Sequence, residues 1–408
     1  MKLLQNDKLV VLADQAVFSG TSFILTILTA RILSIEDFGL FAGYLLGIYL
    51  FISGIAAFVV QPFQVYIGKS NQKKFYVSFA VWFQLATTLT ILVITYFIGI
   101  VFKLQIPLIL ILYALGFIFH DFGRRVLLAL NQTIKTLILD ASASFTSLLG
   151  IFYFYYTGAD SLKLLLLYLS IAYSIPFFLG IGFLEIKFFK LRLFKVYLAK
   201  HFRSGKWLFL SATTQWWSGN LYVVASGVYL GAQALGALRL AQSLMGVLNV
   251  LLQAFENYVL PQTSTRINTN LSSGLHYLVN ISRKVGLLFV VILSITFVFS
   301  KSILSLAGGE EYISYAFVLQ GFAVMYLLVF ISQPIRLVIR SLLLDNHFFY
   351  GYLISFGFAL GLSHFLLSNY ELKGAVIGLA LSQFILIVYW SLVLQKRKIN
   401  LWKLFISF

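Results

Sequence analysis

Residues 187–206 read KFFKLRLFKVYLAKHFRSGK and lie near the middle of the 408-residue chain. The segment holds seven lysine and arginine residues and no acidic residue, interleaved with phenylalanine, leucine and valine. This pattern is typical of a basic amphipathic helix that lies on an anionic membrane surface. We therefore predict that the segment joins two halves of the chain and that anionic membrane lipid is a partner. The alternative is a loop that only orients the protein in the membrane.

The sequence on both sides of this segment is too apolar for a soluble protein. Of its residues, 60% are hydrophobic and only 11% are charged, against about a quarter charged in soluble domains. A spanning helix needs about 20 apolar residues, and the pattern predicts twelve such helices. They are placed at residues 9–33, 38–62, 75–102, 106–130, 134–156, 162–186, 207–230, 236–262, 285–306, 312–343, 347–368 and 374–395.

The predicted fold class is an all-α polytopic membrane protein with two pseudo-symmetric six-helix bundles. The N-terminal bundle is predicted at residues 1–186 and the C-terminal bundle at residues 207–395, with the linker 187–206 between them. Residues 396–408 form a basic tail.

The net charge of +17 becomes informative once it is sorted by membrane side. With twelve spans and both termini in the cytoplasm, 24 of the 30 lysine and arginine residues fall on the cytoplasmic side. This is the asymmetry that orients membrane proteins. The charge therefore indicates orientation, and no nucleic-acid partner is expected.

The chain has no cysteine and five histidines that are not grouped at metal-ligand spacing. This excludes disulfides, thiolate metal sites and cysteine nucleophiles. We expect no catalytic residues, no metal site and no cofactor, and thus a protein that is not an enzyme.

Short matches between the two halves predict an internal repeat. Two of them recur at an offset of 199 residues, one at 197 and one at 215. The pairs are Ser19-Gly20 with Ser218-Gly219, Pro62 with Pro261, Phe38-Gly39-Leu40 with Leu235-Gly236-Ala237, and Arg125 and Asn131 with Arg340 and Asn346.

Charged residues in the fourth and tenth predicted spans are candidate ligands for an anion. Asp121 and Arg125 are four residues apart, which predicts an ion pair and leaves Arg124 as the uncompensated charge. Arg336 and Arg340 have the same spacing and follow Pro334, which permits a kink. Since guanidinium groups bind phosphate oxygens in bidentate fashion, Arg124, Arg125, Arg336 and Arg340 are predicted to bind a diphosphate. The alternative is that these side chains reach to the membrane surface and bind nothing.

Asp14 lies inside the first predicted span, where desolvation disfavours a charged carboxylate. It is a candidate for proton or sodium coupling, and a structural pair with a nearby basic residue is the alternative. Asp140 and Glu256 lie near cytoplasmic ends of spans and are expected to be structural.

The run from Gln215 to Asn220 places Trp216 and Trp217 in the middle of the seventh predicted span. Tryptophan is usually found at membrane interfaces instead. Polar groups beside flat aromatic faces suit a sugar, so Gln215, Trp216, Trp217 and Asn220 are candidate lining residues of a glycan cleft. Core packing is the alternative.

Several short motifs resemble those of the oligosaccharide flippases, the Wzx-type polysaccharide transporters of the multidrug/oligosaccharidyl-lipid/polysaccharide (MOP) exporter superfamily. They are Asp14-Gln15 with Ser19-Gly20 and Phe23, Ala30-Arg31-Ile32-Leu33 up to Phe38-Gly39, Tyr229-Leu230-Gly231 up to Leu235-Gly236, and Glu311-Tyr312. The resemblance implies a MATE-like fold and alternating access. It also implies transfer of an undecaprenyl-diphosphate-linked repeat unit across the bacterial inner membrane, for O-antigen, capsule or exopolysaccharide synthesis.

The related lipid II flippases have fourteen spans and cavity arginines in their first two helices, whereas the first two spans here offer only Arg31. Their site residues are therefore not transferred to this chain. Glycosyltransferases and a polysaccharide polymerase are expected partners.

Two other functions stay open as alternatives. A cation-coupled multidrug exporter of the same superfamily would fit Asp14, but cationic drugs favour an acidic cleft. A membrane glycosyltransferase or polysaccharide polymerase is disfavoured because the predicted outer loops are short and no D-x-D motif occurs.

Overall fold

The computed structural model describes residues 7–103, 106–186 and 191–406, and this part of the chain is helical throughout with no β-strand. The helices are α1 (Asp7–Ile32), α2 (Ile35–Phe58), α3 (Val60–Tyr66), α4 (Lys73–Val101), α5 (Leu108–Ala129), α6 (Thr133–Tyr156), α7 (Leu162–Phe183), α8 (Leu191–Leu230), α9 (Ala232–Thr269), α10 (Leu271–Val298), α11 (Ser300–Gly308), α12 (Ala316–Ser341), α13 (Asp345–Lys396) and α14 (Leu401–Ile406). Short 3₁₀ turns lie at Ile67–Lys69 and Glu310–Tyr315.

Nine helical stretches in the described residues are long and apolar enough to cross a membrane, as expected of a multi-pass membrane protein. The last of them covers both of the final two predicted spans. Within α13, Glu371 has φ 49° and ψ −132°, so the helical path is interrupted there and α13 consists of two helical segments. α5, which carries Asp121, Arg124 and Arg125, and α8 are not among these nine stretches.

Two predicted boundaries differ from the structure. The predicted linker and the seventh span form one helix, α8, because no proline or left-handed residue interrupts residues 191–230. Gly205 lies where α8 passes Phe58, and a side chain there would meet the Phe58 ring. The predicted span 285–306 instead begins at Leu271 and ends at Val298, where a break before Ser300 separates α11. Residues 187–190 of the predicted linker lie outside the described residues.

The described chain divides into two compact units. Unit 1 contains the described residues up to Leu33 together with Tyr44–Thr213, and in it α5, α6 and α7 pack against one another while α1 packs on α6. Unit 2 contains Ser34–Gly43 and the described residues from Thr214 onward, with α12 packed against α9, α10 and α13. In unit 2, the fully buried Trp390 stacks on Phe348 in an apolar core that includes Leu401 of α14.

Two repeat-related glycines touch each other in unit 2. A Cβ atom on Gly39 would overlap the backbone oxygen of Ala232, and a Cβ atom on Gly236 would lie 2.6 Å from the backbone oxygen of Ile35. Gly39 and Gly236, like Ile35 and Ala232, are related by the predicted offset of 197 residues. The contact is therefore reciprocal, since each glycine approaches a backbone oxygen at the start of the other helix.

Candidate functional site

A buried charge cluster, formed by Arg124, Asp14, Asp140 and His120, occupies unit 1. The Nε group of Arg124 donates to Asp140 Oδ2 at 2.5 Å, and a terminal nitrogen of Arg124 donates to Asp14 Oδ2 at 3.0 Å and to Gln15 Oε1 at 3.1 Å. His120 Nε2 donates to Asp140 Oδ1 at 3.0 Å. The side chains of Asp14, Asp140 and His120 are at most 4% exposed and that of Arg124 is 12% exposed.

Three helices supply the cluster. His120 and Arg124 are four residues apart and therefore lie on one face of α5, while α1 contributes Asp14 and α6 contributes Asp140. The guanidinium group of Arg124 also lies 4.3 Å from the ring centre of Phe18, one turn beyond Asp14 on α1. The cluster thus ties the three helices together by charge as well as by apolar packing.

The predicted ion pair between Asp121 and Arg125 is present, with Nε to Oδ2 at 2.8 Å. The prediction that Arg124 is left without an acidic partner is wrong, because two carboxylates that are distant in sequence bind it. Arg124 forms an ion pair with both acids. Asp140 therefore has the structural contact that was expected, and Asp14 has the basic partner that was the alternative to ion coupling.

The net charge of the cluster favours the binding of one proton. Two carboxylates face one guanidinium group, and Asp14 Oδ1 is buried without a hydrogen-bond partner among the described residues. Because a net buried charge is costly, one added proton would bring the cluster to neutrality.

In unit 2, Arg336 and Arg340 of α12 share a single carboxylate, that of Glu256 on α9. Each arginine donates a terminal nitrogen to a different oxygen of Glu256. The side chains of Arg336 and Arg340 are 22% and 40% exposed, and Arg336 Nε has no hydrogen-bond partner in the described residues. The trio thus carries one surplus positive charge, which a further anion could balance.

The sequence pattern missed the pairing with Glu256 because 80 residues separate it from Arg336. The four-residue spacing of Arg336 and Arg340 along α12, which the sequence does show, lets both side chains reach one carboxylate.

The aromatic run on α8, residues 215–220, is partly exposed. Trp216 and Trp217 meet edge to face with ring centres 5.1 Å apart, and both rings are partly exposed. Asn220 donates its side-chain amide to the backbone oxygen of Trp216 at 2.9 Å, whereas Gln215 is exposed. Within the run, the buried Ser218 donates to Ser355 at 3.0 Å.

The described residues include no group of three or more histidine, cysteine, aspartate or glutamate side chains that could hold a metal ion.

Comparison with known proteins identifies the fold. No protein-family model matches the chain, and no curated protein matches it in sequence. Solved structures of MOP-superfamily transporters do match it over nearly the whole length. A MATE-family multidrug-resistance transporter in an inward-facing conformation has a TM-score of 0.73 at 14% identity, with 94% of both chains covered.

The lipid II flippase MurJ in an inward closed conformation also has a TM-score of 0.73, at 13% identity, with 96% of this chain and 88% of that chain covered. A MOP-superfamily transporter from Pyrococcus furiosus, described as having a binding pocket of reverse polarity, has a TM-score of 0.58 at 13% identity, with coverage of 96% and 91%. The predicted fold class, a MATE-like all-α membrane fold, is confirmed.

Proposed function

We propose that the protein is a flippase that moves a polyprenyl-diphosphate-linked oligosaccharide from the cytoplasmic to the periplasmic leaflet of a bacterial inner membrane by alternating access. The fold supports a transporter, since its structural neighbours include a multidrug transporter and a lipid II flippase. The observation that carries the choice of an anionic substrate is the pair Arg336 and Arg340, two partly exposed guanidinium groups that share one carboxylate.

A diphosphate suits this pair for chemical reasons. Charge-assisted hydrogen bonds from guanidinium to phosphate oxygens are among the strong ones in proteins, and two guanidinium groups can engage both phosphates. Glu256 neutralises only one of the two positive charges when no substrate is bound. A diphosphate could therefore take the place of Glu256 on one arginine, while the Glu256 carboxylate stays paired with the other arginine.

The four predicted diphosphate ligands take different roles in this proposal. Arg336 and Arg340 of unit 2 bind substrate directly. Arg125 of unit 1, whose side chain is 38% exposed beside Asp121, is a separate candidate ligand for an anion. Arg124 instead positions α1 and α6, because its charge is already shared by two buried carboxylates.

The glycan would contact the partly exposed aromatic run on α8. Flat aromatic faces suit the apolar faces of sugar rings, and Trp216, Trp217 and the exposed Gln215 offer such a surface with a polar neighbour. Asn220 would contribute through its amide oxygen, because its amide nitrogen already donates to the backbone.

Coupling to an ion is the role proposed for Asp14. Its Oδ1 atom is buried without a hydrogen-bond partner among the described residues, and its cluster lacks one positive charge. We expect Asp14→Asn to flatten the pH dependence of transport, because the cluster then no longer needs a proton to be neutral. A variant with the wild-type rate and the wild-type pH profile would exclude coupling at Asp14.

The second candidate function is a cation-coupled multidrug exporter, which the MATE neighbours and Asp14 favour. Uptake assays distinguish the two functions. An exporter would lower the accumulation of a cationic dye in cells, whereas a flippase would leave dye accumulation unchanged.

The proposed function is tested by depleting the protein in its host and measuring the leaflet in which the lipid-linked oligosaccharide accumulates. Depletion should trap it on the cytoplasmic leaflet, and Arg336→Gln with Arg340→Gln should fail to restore surface polysaccharide. The matched control is Lys396→Gln with Lys398→Gln, which removes two exposed cations from the C-terminal end of α13 and the residues after it. Restoration by both double variants would contradict the proposal.

A further inference from the structure

A cavity of about 430 Å³ lies in unit 1 between the connection from α3 to α4 and the first turns of α8. This volume falls in the range of small-ligand sites. Its polar lining residues include Tyr66, Lys69, Ser70, Asn71, Tyr197 and Lys200. The transport proposal above uses none of these residues.

The wall of the cavity is held in place by a buried histidine of α8. His201 is fully buried, and its Nδ1 group donates to the backbone oxygen of Phe58 at 2.8 Å. A carbonyl oxygen only accepts, so the proton is on Nδ1 and His201 Nε2 accepts from the hydroxyl of Tyr76 at 2.6 Å. The ring of Tyr76 also lies 4.6 Å from that of Tyr197. The first turns of α8 are therefore fixed against α2 and α4, and the cavity has a defined shape.

The charge of the cavity favours an anion. Two lysine side chains line it, and no acidic side chain does so among the described residues. Glu185, in the connection from α7 to α8, forms its ion pair with Lys74, which is not a lining residue. Ammonium, hydroxyl and amide donors around one cavity are the groups that bind a phosphate.

The surroundings indicate a phosphate that belongs to a lipid. On α8, Val196 and Phe202 are 47% and 52% exposed, on turns adjacent to Lys200. A helix that exposes basic side chains interleaved with apolar ones is typical of an anionic membrane interface. α4, which is apolar enough to cross the membrane, begins at Lys73 next to the lining residues. A candidate spanning helix therefore begins beside the cavity, which favours a phosphate that belongs to a lipid headgroup.

We propose that this cavity binds the phosphate of an anionic phospholipid from the cytoplasmic leaflet and so anchors the N-terminal part of α8 to the membrane surface. Lys69 and Lys200 supply the charge, and the hydroxyl and amide groups orient the headgroup. This inference is independent of the transported substrate.

The test compares two double variants of the full-length protein by native mass spectrometry, with phosphatidylglycerol and phosphatidylcholine as probes. Lys69→Gln with Lys200→Gln should weaken phosphatidylglycerol binding by about 10-fold to 30-fold. Lys73→Gln with Lys195→Gln removes the same charge from exposed neighbours that do not line the cavity, and it should change binding by about threefold or less.

Equal losses in the two double variants would overturn the proposal, because diffuse attraction would then explain the binding. Displacement of phosphatidylglycerol by millimolar inorganic phosphate would overturn the assignment to a lipid. The single variants Lys69→Gln and Lys200→Gln, each expected to lose part of the affinity, carry the comparison if the double variant does not fold.

Discussion

Arg124→Gln is the substitution that most strongly tests the buried charge cluster of unit 1. In the native protein Arg124 binds Asp140 at 2.5 Å and Asp14 at 3.0 Å, and both carboxylates are at most 1% exposed. Removing the guanidinium group leaves two buried carboxylates without their cation. Breaking one buried ion pair in this way costs about 3–5 kcal/mol, so we expect at least that loss in the free energy of unfolding.

Arg125→Gln is the matched control, because it makes the same chemical change one residue further along α5. The pair of Arg125 with Asp121 is four residues apart on one helix and 38% of the Arg125 side chain is exposed. Exposed pairs of this kind contribute about 1 kcal/mol or less. The two variants should therefore differ in unfolding free energy by at least about 2 kcal/mol.

The assay is equilibrium unfolding by a denaturing detergent in mixed micelles, followed by the loss of helical circular dichroism. Arg124→Gln combined with Asp140→Asn should recover part of the loss, since only one buried carboxylate is then left without its partner. Equal unfolding free energies for Arg124→Gln and Arg125→Gln would refute the assignment of Arg124 to a buried structural cluster.

Two further predictions concern backbone contact and pH. Gly39→Ala should destabilise unit 2 by about 1–3 kcal/mol or more, because the added Cβ meets a backbone oxygen that cannot rotate away. Gly47 has open space around it, so Gly47→Ala should be neutral or slightly stabilising in the same unfolding assay. Equal effects of the two substitutions would contradict the close approach at Gly39. Burial lowers the pKa of His201 from 6.5 to about 4, so between these pH values the unfolded chain takes up a proton that the folded chain does not. The unfolding free energy should therefore fall by about 3 kcal/mol as the pH drops from 6.5 to 4. His201→Gln should lack this component, and an identical pH dependence in both proteins would contradict the prediction.

Hydropathy was sufficient to predict the helical fold and the approximate places of the spans, because lipid requires about 20 apolar residues per crossing. Local spacing was also sufficient for the pair of Asp121 and Arg125, since residues four apart on a helix are neighbours. The break at Glu371 falls in the predicted gap between residues 368 and 374, where the polar residues Asn369, Glu371 and Lys373 interrupt the apolar pattern. Other helix ends were harder to predict, since the predicted span 285–306 begins at Leu271 and ends at Val298.

The sequence pattern did not predict the ion pairs between residues that are far apart in the chain. Asp14 and Arg124 are 110 residues apart, and Glu256 and Arg336 are 80 residues apart. Which carboxylate meets which guanidinium group depends on how α1, α6 and α9 pack, and a single sequence does not specify that packing. The consequence is a change of role for Arg124, from an expected free cation to the centre of a buried cluster.

The most direct test of the proposed function is a reconstituted assay of lipid movement. Purified protein in liposomes would receive a fluorescent polyprenyl-diphosphate oligosaccharide, and a membrane-impermeant reagent that quenches the outer leaflet would report transfer. We predict transfer that depends on the wild-type protein and is lost with Arg336→Gln plus Arg340→Gln but retained with Lys396→Gln plus Lys398→Gln. No transfer above that of protein-free liposomes, or equal transfer by both double variants, would contradict the account.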